Sequence, residues 1–188
     1  MQNKRFYNFQ LILYPDDINF NSQLDTLKQY DHIYILHDND LNEDTNEYKK
    51  AHIHFIVRFK NARTINALSK ESGVVANNIE PIKSMTGSLK YLIHYKNDNK
   101  FQYDIKNCIS NCNLLDRLKK LVNDDIPEDQ KALNLFEFID NTIGYIEFKS
   151  FFVYVCKSGQ YSVYRRNTFT FMKLIEDHNY EVSRKNAT

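Results

Sequence analysis

Residues 51–59, AHIHFIVRF, alternate along their whole length, with Ala51, Ile53, Phe55, Val57 and Phe59 on one face of an extended chain and His52, His54, Ile56 and Arg58 on the other. A period of two in a stretch rich in β-branched and aromatic side chains predicts a strand. One face is wholly apolar and calls for a core. The other sets two imidazoles roughly 7 Å apart along the chain, on a rigid base.

On the N-terminal side of this strand, RFYNFQLILY at residues 5–14 predicts a first strand, ended by Pro15, Asp16 and Asp17. Phe20, Leu24, Leu27 and Lys28 follow helical spacing, and His32 to Leu36 form a second strand. His37-Asp38-Asn39-Asp40 then lies just past the end of that strand. On the other side, Arg63 to Glu71 suits a helix stopped by Gly73, and Asn78 to Lys83 a short strand. Ser84 is placed to cap a helix on which Met85, Leu89, Leu92 and Ile93 share a face. A further helix is expected from Leu114 to Val122. The acidic, proline-bearing segment 123–129 reads as a linker. Beyond it, Leu133, Phe136, Ile139 and Ile143 space by three or four, and residues 168–177 look similar. The expectation is an α+β domain over residues 1–122 and a small, mostly helical domain over 123–188.

The chain has 188 residues, 42% hydrophobic and 14% aromatic, which suits a packed core and excludes a disordered polyelectrolyte. Its net charge of +1 excludes a uniformly basic protein. The charge is nevertheless sorted: residues 15–47 hold nine acids and one Lys, residues 48–70 six Lys/Arg and no acid, and residues 148–188 seven basic residues against three acids. Three cysteines, Cys108, Cys112 and Cys156, are too few for a disulfide framework or a four-thiolate zinc site, so reduced thiols are expected. The N-terminal apolar stretch is broken by Gln10 and Pro15, unlike a signal peptide, and no run approaches a membrane span. A cytoplasmic protein without a membrane partner is expected.

His52 and His54 on one strand face can share a metal ion, and His37 and Asp40 could add a nitrogen and an oxygen. Three imidazoles and a carboxylate suit a first-row divalent ion with positions left open for a substrate oxygen. Beside basic residues, such an ion points to phosphodiester chemistry. For a nucleophile, Tyr91, Tyr95 and Tyr103 surround the end of the helix that starts near Ser84. A tyrosyl oxygen leaves a covalent ester and so keeps the energy of the broken bond for rejoining.

The segments ILHDND, KKAHIHFIV and YLIHYKNDNKFQYD, in this order, resemble the successive motifs of RepB-type rolling-circle plasmid replication initiators in the HUH endonuclease superfamily. FQLILYPDD is similar to their first strand and turn, and NLFEFIDN and FMKLIEDHNYEVSRK to their appended helical domain. The resemblance implies an antiparallel-sheet nicking and origin-binding domain followed by a helical oligomerisation domain. It implies a divalent cation, Mn²⁺ or Mg²⁺, held by His37, Asp40, His52 and His54. It puts the nucleophile at Tyr103, just before an Asp, and not at Tyr91 or Tyr95.

By the same resemblance the activity is strand nicking and closing. The tyrosine attacks a single-stranded site in the plasmid origin, leaving a 5′-phosphotyrosyl link and a 3′-OH primer for the host replication machinery. Duplex origin repeats are the second DNA partner, and the protein assembles as a ring. Lys49, Lys50, Arg58, Lys60, Arg63 and Lys70 are candidates for DNA phosphate contact, with His94, which also matches a motif, added to them. A relaxase or single-tyrosine transposase, a non-catalytic DNA-binding regulator, and a hydrolase using activated water are the competing readings.

Overall fold

The computed structural model of the chain describes residues 4–42 and 45–186. The chain separates into two compact units, divided between Leu121 and Val122. In the first, β1 (Phe6–Leu13), α1 (Phe20–Lys28), β2 (Asp31–His37), β3 (His52–Arg63), α2 (Ile65–Ser72), β4 (Ile79–Pro81), α3 (Met85–Leu92) and β5 (Ile109–Ser110) follow in order. The five strands form one sheet in the order β4-β1-β3-β2-β5, and every neighbouring pair is antiparallel. This is the expected α+β architecture.

The alternation of β3 places its odd residues in a core. Phe55 and Val57 are fully buried, together with Phe9, Leu11 and Leu13 of β1, and Leu27 of α1 and Leu68 of α2 complete the same cluster. Tyr34 stacks on Phe55 with centroids 5.2 Å apart and planes 8° from parallel. Local chemistry delimits the covering helix α2: the Thr64 side chain accepts from the Ala67 amide, and Gly73, at φ 72°, ends the helix in the left-handed region.

β3 runs four residues beyond the expected Phe59, to Arg63, so the helix expected from Arg63 starts at Ile65; β2 and β5 differ from expectation as well. β2 runs on to His37, because its antiparallel pairing with β3 continues to the His37–His52 pair. His37 therefore belongs to the sheet and not to the loop beyond it. The two-residue β5 is too short to carry a period. It is held by Ser110, which donates to the His32 carbonyl at 2.6 Å.

α4 (Leu114–Asp124) runs across the boundary into the second unit, followed by α5 (Glu128–Asp140), α6 (Phe148–Lys157), α7 (Tyr161–Arg166) and α8 (Thr168–Lys185). The segment expected as a linker is thus helical at both ends. In α5 the buried apolar residues are Leu135 and Ile139, packed with Phe151, Val155, Phe171 and Ile175, whereas Leu133 is half exposed and Ile143 lies beyond the helix in solvent. Apolar residues at 133, 135, 136, 138 and 139 cover more than half of the helix circumference, so spacing by three or four fits more than one stripe. Among the described residues no helix is long and apolar enough to cross a membrane.

Candidate metal and tyrosine site

The register that builds the core also builds the site. His37 of β2 lies opposite His52 of β3, and His54 stands two residues along, so all three imidazoles share the sheet face turned away from Phe55. Their ring centroids are 4.4–5.5 Å apart, and one nitrogen from each lies within 4.8 Å of the others. The Asp40 carbonyl accepts the Lys49 amide at 2.7 Å, which turns the loop after β2 back towards β3. Asp40 Oδ2 sits 3.3 Å from His37 Nδ1 and 3.9 Å from His52 Nε2. The structure thus brings His37, Asp40, His52 and His54 together.

Backbone carbonyls define the tautomers. His37 Nε2 lies 2.8 Å from the Leu92 carbonyl and His52 Nδ1 2.8 Å from the Lys50 carbonyl; a carbonyl only accepts, so these nitrogens carry the protons. The lone pairs of His37 Nδ1 and His52 Nε2 are left facing Asp40 Oδ2. Burial pushes His37 below the ordinary imidazole pKa, and pushes His54 down to about 2, with the neighbouring imidazoles adding to the shift. Imidazole lone pairs and a carboxylate oxygen crowd one volume, an arrangement a divalent cation relieves. The donor set therefore fits a metal ion.

A second layer surrounds these groups. Tyr103 stacks on His37 at 4.2 Å, donates its hydroxyl to Asp40 Oδ1 at 3.0 Å and accepts the Asn39 amide at 3.0 Å. It is 6% exposed, and burial, with the Asp40 charge adding, raises its pKa well above the ordinary tyrosine range. His94, a candidate for DNA contact, is 1% exposed. Its Nδ1 donates to the Phe101 carbonyl at 2.9 Å, its Nε2 is buried without a hydrogen-bond partner, and it falls in one donor group with His37 and Asp40.

Tyr91 presents the contrasting geometry. It lies in the last turn of α3, is 41% exposed, and its ring is 5.6 Å from that of His54. Its hydroxyl accepts from Lys100 Nζ at 2.7 Å. Lys100, which the motifs did not single out, stands nine residues beyond Tyr91 in the chain.

The basic candidates divide by partner. Lys50 pairs with Asp16, Arg58 with Asp31, and Arg63 with Glu71. Lys49, Lys60 and Lys70 are exposed, and none has an ion pair among the described residues. Lys49 lines a cavity of about 290 Å³ together with Asp40, Lys100 and Phe101.

Residues 1–116 match the family model described as "Plasmid replication protein, origin binding domain". The chain is 32% identical over 103 residues to "Replication protein RepB" of Lactiplantibacillus plantarum, a match spanning 54% of this chain and 46% of that protein. It is 28% identical over 164 residues to a "Replication protein" of Staphylococcus aureus, spanning 83% of this chain and 78% of that one.

Proposed function

The chain belongs to the plasmid replication protein family defined by the origin-binding domain, and from that premise we propose that it binds plasmid origin DNA and nicks one strand by tyrosine attack to prime rolling-circle replication. The observation that carries this reading is an open tyrosine hydroxyl, Tyr91, beside a buried set of imidazole and carboxylate lone pairs. The nucleophile we propose is Tyr91 in place of Tyr103. An attacking oxygen has to meet a phosphorus atom, and this favours Tyr91 over Tyr103, which is 6% exposed with its hydroxyl engaged by Asp40 and Asn39.

His37, Asp40, His52 and His54 would hold the cation, and three imidazoles favour Mn²⁺ over the oxygen-seeking Mg²⁺. When bound, that ion supplies polarisation of a phosphodiester oxygen. The residues of the chain do the rest. Tyr91 Oη forms a bond to the scissile phosphorus while the bond to the 3′ oxygen breaks. The departing oxygen takes a proton from water and becomes the 3′-OH primer; the tyrosyl proton passes to solvent. Lys100, already bonded to Tyr91, sets positive charge beside the phosphate. Tyr103 orients Asp40, and the Leu92 and Lys50 carbonyls orient His37 and His52. Attack by the 3′ oxygen of a completed strand on the phosphotyrosine reverses the step and closes the DNA.

For the second unit we propose assembly of the initiator into a ring. Ile143, Phe169 and Tyr180 expose 101%, 77% and 69% of their surfaces, apolar area that a neighbouring subunit would cover. The test of the nicking reading is incubation with a labelled origin strand and Mn²⁺. A denaturation-resistant protein–DNA adduct that disappears with chelator is expected. Multiple turnover without any adduct would instead support hydrolysis by activated water.

A further inference from the structure

We propose that Gln10 and Glu80 form a base-selecting position in the groove beside Tyr91, taking an unpaired nucleotide whose base carries an exocyclic amine. The inference rests on the reading of Tyr91 as nucleophile and extends it to the substrate. Gln10 of β1 alternates with Phe9 and Leu11, which enter the core, so its side chain lies on the sheet face that carries His54. His54 itself is registered against Ile12 of β1, two residues along.

Glu80 of β4 pairs directly with Gln10, and Gln10 Nε2 donates to Glu80 Oε2 at 2.8 Å. Two cavities, of about 250 and 420 Å³, are both lined by Gln10, Glu80 and Tyr91. The smaller adds His54 and Asn78; the larger adds Lys83 and Ser84 at the start of α3. Tyr91 therefore borders both cavities. A strand whose scissile phosphate meets Tyr91 must lay a neighbouring nucleotide there, with Lys83 available to its phosphate.

The chemistry of the pair decides which base. A carboxylate beside a polyanion is unfavourable unless it accepts hydrogen bonds from what it meets. Glu80 retains one oxygen outside its bond with Gln10, and Gln10 retains its carbonyl and one N–H. Acceptors outnumber donors, so a base edge that offers an amine is accepted. Thymine or uracil turns the O4 lone pair towards the carboxylate where an amine-bearing base offers a donor, and keeps only the ring N3–H to donate, so it is disfavoured.

The test uses the full chain as Tyr91→Phe, which binds without forming an adduct, and fluorescent dC12 and dU12 in Mn²⁺. The two probes share sugar, phosphate and ring size, and differ at the 4-amine and its carbonyl counterpart and at N3, an acceptor in cytosine and an N–H donor in uracil. The Tyr91→Phe protein is expected to bind dC12 about tenfold more tightly than dU12. Adding Glu80→Ala should erase the preference without weakening dU12. Adding Gln10→Ala instead should reduce the preference by a smaller factor. Absence of the preference, or its survival in the Glu80→Ala protein, overturns the assignment. Adduct formation by the unmutated chain is scored separately: no adduct with the preference intact removes the nucleophile reading alone, and an adduct without the preference removes this one alone.

Discussion

On one side of β3, Phe55 and Val57 are fully buried among aromatic and aliphatic side chains; on the other, offset by one residue, His52 and His54 join His37 and Asp40 in a volume crowded with lone pairs. The same backbone and register serve both faces. What differs is that the first gains by excluding water, while the second buries polar groups whose lone pairs oppose one another. The apolar face supplies the rigidity that lets the imidazole face remain poorly satisfied until a cation and a phosphate arrive.

The largest effect should come from breaking the apolar face. Phe55→Ala is expected to cost about 3–5 kcal/mol, because the cavity lies at the centre of the sheet. His54→Ala should shift the thermal midpoint of the metal-free protein by only a few degrees. Calorimetric melting of both variants checks this, and equal losses would mean that the two faces do not divide stability from chemistry.

Next in size is the converse loss. His54→Ala should weaken Mn²⁺ binding, followed by titration calorimetry, by more than the roughly 10- to 100-fold that loss of an outer-shell partner brings. Tyr103→Phe should fall within that outer-shell range, since it removes the hydroxyl that orients Asp40, and should still yield the DNA adduct. A Tyr103→Phe protein with intact metal affinity and no adduct would return the nucleophile to Tyr103.

The smallest effect is on acid stability. His54 is pushed down to about 2 when folded and titrates near 6.5 when unfolded, so below pH 6.5 the unfolded chain binds the extra proton. Stability of the metal-free protein should therefore fall on acidification from pH 6.5 to 5, by at most about 1.4 kcal/mol per pH unit for this group. His54→Asn should flatten that slope, as read from melting curves across the interval.

Much of this contrast was legible in β3 alone, whose alternation separates the two faces without reference to any other segment. Convergence of His37 was not, since strand parity is silent where pairing ends, and pairing in fact carries His37 opposite His52. Tyr103 and Tyr91 are equally tyrosines in a motif, and their sequence neighbours do not reveal that one stacks under His37 while the other stands open beside Lys100. Burial, a long-range property, separates them. The same limit hid β5, which has no period, and moved the packed stripe of α5, where apolar residues wrap most of the helix.

The most direct test of the account is to digest the adduct formed with an origin strand and Mn²⁺ and to map the nucleotide-bearing peptide by mass spectrometry. A 5′-phosphotyrosyl link on Tyr91 is expected, abolished in Tyr91→Phe and retained in Tyr103→Phe. A link on Tyr103, or an adduct that survives Tyr91→Phe, would contradict it.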